Sequence, residues 1–373
     1  MTSKKVLVTG GAGFIGSHLV DALLAHGYSV RVLDALVPQV HKGEGPAHLD
    51  PRAEFMPGDI CDTRLLAQAL AGVDVVCHQA AEVGVGQSMY EPVRYMRANT
   101  LGTTMLLEEI SKNRKSIRKI VVASSMSIYG EGEYACAKCG RVAPRLRTPE
   151  QLHAKEWEIQ CPACNGGLTP VLTTETKPLF PTSVYAISKQ DQEQLCLVMG
   201  RAYGIPTVAL RYFNVYGTRQ ALSNPYTGLC AIFSSRLLND KTPLIFEDGQ
   251  QSRDFVHVSD IVQANLLAIE RSEADYEALN IGTGIATTVN EMAQLLADGL
   301  GKNISGEITG QYREGDIRHC VADISKAKTL LGYSPKTDLR NGLRELLAWV
   351  SRQTAQDLVP QMQKELAARN LVY

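Results

Sequence analysis

The sequence predicts an α/β fold, a doubly wound parallel sheet with helices on both faces. Two observations carry that reading. Short β-branched runs alternate with stretches of helical periodicity as far as residue 210, and a glycine-rich turn joins the first run to the first helix. A third observation sets one stretch apart, because residues 131–178 break the alternation and contain two CxxC pairs.

Residues 4–9 are apolar and β-branched, residues 14–24 carry apolar side chains at helical spacing, and residues 29–33 read as a second strand. Strands over 74–78 and 120–123 flank a helix over 93–110, and a helix over 185–203 leads into a strand over 207–210. Parallel neighbours need long crossovers, and helices serve as those crossovers and cover the sheet. From Gly217 the pattern loosens into loops at 221–228 and 247–253, with helices over 260–269, 289–299 and 339–350.

The 373 residues include 38 Lys+Arg and 39 Asp+Glu, with 45% hydrophobic residues. Such a chain buries a large core and is not disordered. A net charge of −1 gives no electrostatic case for nucleic acid or an anionic membrane surface. The apolar run at 6–8 is too short for a signal-peptide core, and no stretch approaches the ~18 apolar residues of a membrane span. Nine cysteines are therefore expected in a reducing cytoplasm, where paired cysteines read as metal ligands.

Gly10-Gly11-Ala12-Gly13-Phe14-Ile15-Gly16 lies between the first predicted strand and helix. A pyrophosphate needs a tight turn, a backbone it can approach closely and the N–H donors of a helix N-terminus. Asp34 ends the second strand, where a carboxylate accepts ribose hydroxyls and repels the 2′-phosphate of NADP. NAD is the expected cofactor. Either feature alone is common in structural turns, and their succession is what points to a dinucleotide.

Tyr185 and Lys189 stand four apart, on one face of a helix. A free tyrosine is only about 0.3% ionised near pH 7.5, and a neighbouring ammonium and a cationic nicotinamide both favour the phenolate. Tyr185 is thus a candidate base. Ser124 and Ser125 follow the strand at 120–123 and fall at the carboxyl edge of the sheet, where ligands bind in open α/β folds. Serines there also cap turns, and YxxxK alone is common on surfaces.

Further motifs run along the chain: VTGGAGFIGSHLV, Gly58-Asp59-Ile60, His78-Gln79-Ala80-Ala81, SSMSIYG, YAISK, RYFNVYG, DFVHVSDIV and NIGTG. Through them the chain resembles the extended short-chain dehydrogenase/reductase family, and within it the nucleotide-sugar 4-epimerases. VPQVH, GVGQSMYEPVRY and RQALSNPYTG extend the likeness to the dTDP-L-rhamnose 4-epimerases.

The resemblance implies a Rossmann NAD domain over 1–217, with 131–178 inserted, and a homodimer. It also implies a smaller C-terminal α/β domain for the sugar nucleotide over 218–373, with about 255–280 returning to the first. Gly10, Gly13, Phe14, Ile15, Gly16 and Asp34 would hold NAD, and Asp59 and Ile60 would contact adenine. Ala80, Ala81 and Asn99 would line the cofactor, and Tyr212 would approach it beside Tyr185 and Lys189. Asn214, Arg253, Arg313 and Asp316 would fall on the nucleotide diphosphate and ribose, the arginines as phosphate forks.

Dehydratases of this family usually carry Asp-Glu after the serine and decarboxylases a Glu, whereas Ser125-Met126-Ser127 has no acid. Elimination and decarboxylation lose support, and oxidation and re-reduction at C4, which need no extra acid, gain it. Tyr185 would take the 4-hydroxyl proton, Ser125 would hydrogen-bond the same oxygen, and Lys189 would hold the ribose and lower the Tyr185 pKa. The 4-keto sugar would then turn before reduction on its other face. The expected reaction is dTDP-L-rhamnose to dTDP-6-deoxy-L-talose, with an apolar patch near Val85 or Met126 for the 6-deoxy carbon. A UDP-hexose 4-epimerase and a non-catalytic NAD-sensing protein are the alternatives, and the intact Tyr185/Lys189 pair speaks against the second.

Cys136, Cys139, Cys161 and Cys164 form C-x2-C-x21-C-x2-C, the pattern of two knuckles closing on tetrahedral zinc. Neither pair opens a helix after a strand in the thioredoxin manner. Four thiolates leave no open position, so a structural metal is expected. Residues 131–178 balance six Lys/Arg against six Asp/Glu, which argues against nucleic acid.

Overall fold

The computed structural model describes residues 4–41, 45–313 and 315–373; Glu314, inside the 313–316 motif, lies outside the described residues. Seven parallel strands form the main sheet, in the spatial order Ala278–Ile281, Thr207–Tyr212, Lys119–Ser125, Val75–His78, Lys5–Thr9, Ser29–Asp34 and Glu54–Pro57. Lys119–Ser125 and Thr207–Tyr212 are buried at every residue, as strands covered on both faces must be.

Alternate residues of one strand feed opposite faces. Val6 and Val8 pack with Leu19, Val20 and Leu23 of helix Phe14–Ala25, and with Ile261 and Ala264 of helix Val258–Glu270. Leu7, between them, faces the cluster of Leu66, Leu106, Ile110 and Cys196 from helices Thr63–Leu70, Gly102–Lys112 and Val184–Tyr203. A third core joins helices Leu229–Leu238, Val289–Gly299 and Leu339–Val350 through Leu237, Met292, Leu296 and Leu346.

Lys5–Thr9 is flanked by Ser29–Asp34 on one side and Val75–His78 on the other, so successive crossovers leave it in opposite directions. The crevice above this strand is the switch point of the sheet. Helix Val258–Glu270 packs on Phe14–Ala25, and Ala278–Ile281 pairs with Thr207–Tyr212. Both therefore belong to the layers of the main sheet although they follow Gly217.

Three features differ from the sequence reading. The helix expected over 93–110 is broken into Pro92–Tyr95, a π-helical turn at Met96–Leu101 and Gly102–Lys112. The wide turn coincides with inward-facing Asn99, whose amide is spent on backbone and on Ser188. The loop expected over 247–253 ends early, because Ser252–His257 is a strand paired with Asn214–Tyr216 and Ala286–Thr288. Glu54–Pro57 and Ala278–Ile281, only four residues each at the sheet edges, show no periodicity of their own.

Residues 131–178 carry a three-stranded antiparallel sheet, Gly140–Val142, Glu133–Cys136 and Leu168–Val171, plus the short helix Pro149–His153. Among the described residues no helix is long and apolar enough to cross a membrane.

Candidate active site

A cavity of about 890 Å³ runs along the carboxyl ends of the parallel strands. All the catalytic, cofactor-binding and substrate-binding residues expected from the sequence line it except Asn99, and the four metal-ligand cysteines lie outside it. Asn99 is fully buried behind the wall, where its Oδ1 accepts from the Glu82 N–H (2.7 Å) and its Nδ2 donates to the Glu82 carbonyl (3.0 Å) and Ser188 Oγ (2.8 Å). It shapes the wall instead of lining it.

The glycine turn shows why its residues are glycine. Gly10 has φ +69°, and a Cβ there would sit 2.7 Å from the Ala80 nitrogen. A Cβ on Gly16 would lie 2.1 Å from the Gly10 carbonyl oxygen, whereas one on Gly13 would meet only that oxygen, at 3.3 Å. Gly10 and Gly16 thus serve the turn itself, and Gly13 keeps open the space at the N-terminus of Phe14–Ala25. That terminus has no side-chain cap and no acidic residue in its first turn, so its N–H donors suit an incoming anion. Asp34 accepts from the Ala12 N–H (3.0 Å) and the Leu36 N–H (2.9 Å), which fixes its carboxylate beside the turn with lone pairs left for a ribose.

At the adenine end, Ile60 is buried, and Asp59 is exposed with Arg97 at 3.2 Å. Tyr212 presents its ring to the cavity, while its hydroxyl is held by Asn265 Nδ2 (2.7 Å) and Gln79 Nε2 (3.1 Å).

Ser125, Tyr185 and Lys189 come together where Lys119–Ser125 ends against the start of Val184–Tyr203. Ser125 Oγ accepts from the Ser127 N–H (3.2 Å) and hydroxyl (2.9 Å), leaving its own proton to donate. Lys189 is buried, donating to the Ala123 carbonyl (2.5 Å) and Gln192 Oε1 (2.7 Å), and burial pushes its ammonium down to about 7. Burial also pushes Tyr185 above its ordinary value, against a hydrogen bond from Ser125. Lys189 is turned onto a backbone carbonyl, and nothing cationic offsets the burial of the phenolate. Neutral His78 bridges Thr9 Oγ1 (2.8 Å) and Thr103 Oγ1 (2.8 Å), and burial pushes it down to about 3.

At the far end, Arg253 is spent on carbonyls, those of Ser252 and Arg318 from Nη1 and that of Ile317 from Nη2. It lines the cavity and braces the backbone there. Arg313 pairs with Asp316 (2.8 Å) and stacks on Phe246, 4.8 Å from the ring centroid. Asn214 Oδ1, Gln220 Oε1 and Gln251 Oε1 are buried without a protein partner, and all three residues line the cavity. Such acceptors cost free energy until a donor meets them.

The chain matches the family model described as the NAD dependent epimerase/dehydratase family over residues 6–145 and 163–282. It belongs to that family. A dTDP-L-rhamnose 4-epimerase of Burkholderia thailandensis is 35% identical over 94% of this chain and 96% of its own. A putative UDP-glucose 4-epimerase of Methanocaldococcus jannaschii is 37% identical over 92% and 98%. Among solved structures, the UDP-glucose 4-epimerase of Thermotoga maritima with UDP-glucose aligns with TM-score 0.78, 34% identity and coverage of 93% and 99%. The UDP-glucuronic acid 4-epimerase of Bacillus cereus, in complex with UDP-glucuronic acid and NAD, aligns with TM-score 0.75, 30% identity and the same coverage. NAD is the cofactor of the family, and the glycine turn, uncapped helix and Asp34 of this member fit it.

The family match is interrupted between residues 145 and 163, inside the cysteine segment. There the Sγ atoms of Cys136, Cys139, Cys161 and Cys164 all lie within 4.8 Å of one another. The Lys138 and Cys139 N–H groups donate to Cys136 and hold its thiol down at about 6. Tetrahedral zinc at ~2.3 Å from each sulfur sets sulfurs about 3.8 Å apart, so the cluster fits a four-thiolate metal.

The sequence reading passed over one arrangement in this family member. Gln39 Nε2 donates to Gln87 Oε1 (3.0 Å) and Asn224 Oδ1 (2.9 Å), while Tyr90 and Tyr226 both donate to Glu365 (2.9 and 2.7 Å). Gln39 belongs to VPQVH, Gln87 and Tyr90 to GVGQSMYEPVRY, and Asn224 and Tyr226 to RQALSNPYTG. The three distinctive motifs were visible in the sequence; their meeting beside the cavity, which Gln39, Asn224 and Tyr226 line, was not.

Proposed function

We propose that this protein is an NAD-dependent nucleotide-sugar 4-epimerase, with dTDP-L-rhamnose and dTDP-6-deoxy-L-talose as its reversible pair. One observation carries the reading: Ser125 and Tyr185 face the same cavity as the glycine turn, with Met126 and Ser127 following the serine where an elimination would need an acid. When bound, NAD supplies the reversible oxidation at C4. Gly13 and the uncapped N-terminus of Phe14–Ala25 would hold its pyrophosphate, and Asp34 its ribose.

The chain's own residues handle the proton. Ser125 donates to the sugar 4-oxygen, and Tyr185 takes its proton and later returns it. Lys189, once released from the Ala123 carbonyl, would offset the burial of the phenolate, aided by the positive charge NAD would bring when bound. Anchoring falls on the nucleotide, through Asn214, Arg313 and Asp316, which leaves the hexose free to turn between the oxidation and the reduction.

The UDP-glucose 4-epimerases among the relatives favour a second reading, the same chemistry on a UDP-hexose. Proton NMR of dTDP-L-rhamnose with enzyme and no added reductant separates the two. A second anomeric signal, from the 4-epimer, supports the first substrate, and conversion of UDP-hexoses alone supports the second. Silence on every sugar nucleotide, with NAD bound, would make the protein a non-catalytic NAD sensor.

A homodimer and a structural zinc complete the proposal. Val93, Leu101, Ile187 and Val198 are exposed on the adjacent stretches Pro92–Lys112 and Val184–Tyr203, an apolar surface that a second copy would cover. The four convergent thiols leave no open coordination position, so the metal would brace the segment and take no part in the chemistry.

A further inference from the structure

Glu247 lines the cavity yet directs its carboxylate away from solvent, and it holds φ +56°, a left-handed conformation that a glutamate rarely adopts. Two arginines keep it there. Arg147 of the cysteine segment binds it with both terminal nitrogens, at 2.9 Å and 2.7 Å, and Arg318 adds a third contact at 3.0 Å. All three side chains are at most 3% exposed.

The segment grips the same strap of chain at other points. Arg147 Nη2 also donates to the Asp316 carbonyl (3.3 Å), and Glu158 pairs with Arg318 (2.5 Å). Glu131, at the root of the segment, accepts from the Arg318 and His319 N–H groups (both 2.7 Å). Tyr312, next to Arg313, donates to or accepts from His153 Nδ1 at 3.0 Å. Beside Glu247, Phe246 carries the Arg313 guanidinium stacked on its ring.

We propose that Arg147, Glu247 and Arg318 form a buried clamp through which the cysteine segment positions Phe246 and Arg313 for a nucleoside diphosphate. The clamp rests on the nucleotide-sugar reading of the cavity. These three are positioning residues: they hold the backbone at 246–247 and 316–318, and Arg313 meets the phosphates. With the clamp intact, the left-handed turn at Glu247 is held by charge-assisted hydrogen bonds. Without Arg147 the carboxylate loses its bidentate partner, the turn relaxes, and the Phe246–Arg313 stack moves with it. The NAD end of the cavity, built on other strands, stays as it is.

The test is calorimetric titration of dTDP and UDP into Arg147→Met and Arg147→Lys enzyme, with co-purified NAD and turnover measured on the same preparations. Arg147→Met is expected to weaken diphosphate binding and raise KM at least tenfold, with kcat within about twofold of wild type and NAD content unchanged. Arg147→Lys, which keeps the charge but not the bidentate fork, is expected to fall between. Glu247→Gly should weaken binding less than Arg147→Met, because glycine adopts the left-handed turn without a clamp. Diphosphate binding at wild-type strength in Arg147→Met overturns the clamp, and so does an equal loss of NAD and diphosphate. Should Arg147→Met not fold, unchanged binding in Arg147→Lys overturns it on the same terms. A wild-type enzyme that binds no nucleoside diphosphate overturns instead the reading on which the clamp rests.

Discussion

Tyr185 and Lys189 each carry a free-energy cost that their chemistry exploits. Removing the Tyr185 hydroxyl removes the proposed proton acceptor and leaves the ring in place. Tyr185→Phe should therefore lose about 10²–10⁴-fold in turnover while retaining NAD, checked by the NMR assay and the absorbance of bound cofactor. Lys189 titrates near 7 in the fold against 10.5 ordinarily, because burial disfavours its charge. Between those values the unfolded chain binds the extra proton, so this residue makes stability rise with pH by up to about 1.4 kcal/mol per unit. Lys189→Met lacks that dependence. Urea unfolding of NAD-free protein should show the variant's stability relative to wild type highest below pH 7 and falling toward pH 10.

At the scale of elements, the glycine turn separates folding from binding. A Cβ on Gly16 collides with the Gly10 carbonyl at 2.1 Å, while one on Gly13 meets it only at 3.3 Å but would intrude on the space proposed for the pyrophosphate. Gly16→Ala should cost about 1–3 kcal/mol of stability as well as NAD. Gly13→Ala should keep its melting temperature and lose NAD, so melting curves and cofactor content together distinguish them. The cysteine segment gives a similar contrast. Elemental analysis should find one zinc per wild-type chain, and Cys139→Ser should lose it and lower the melting temperature without stripping NAD. A wild-type protein purified without chelator and free of zinc would remove the metal from the proposal.

At the scale of the whole molecule, the apolar residues left on Pro92–Lys112 and Val184–Tyr203 set the prediction. Val198 is 59% exposed. Light scattering should give twice the mass of one chain for the wild type and one chain's mass for Val198→Glu. A monomeric wild type would refute the dimer.

Much of this protein was legible in its sequence, for local physical reasons. The buried strands announce themselves as apolar runs, and Gly10, Gly13 and Gly16 mark a turn that tolerates no Cβ or no obstruction. Tyr185 and Lys189 share a helix face through spacing alone, and four cysteines in two CxxC pairs predict their own convergence. The edge strands Glu54–Pro57 and Ala278–Ile281 were not legible, because four residues carry too little periodicity and their pairing is supplied by distant chain. The partners of Arg253 and Asn99 were not legible for a related reason: a side chain's partner is fixed by what packs against it. Arg253 found backbone carbonyls and Asn99 found the Glu82 peptide. The burial that raises Tyr185, the arginines that close on Glu247 and the meeting of three motifs beside the cavity all join residues far apart in sequence. Sequence alone determined the residue types and their local geometry; the tertiary structure decided which of them meet, because hydrogen-bond partners and burial are set by packing across the chain.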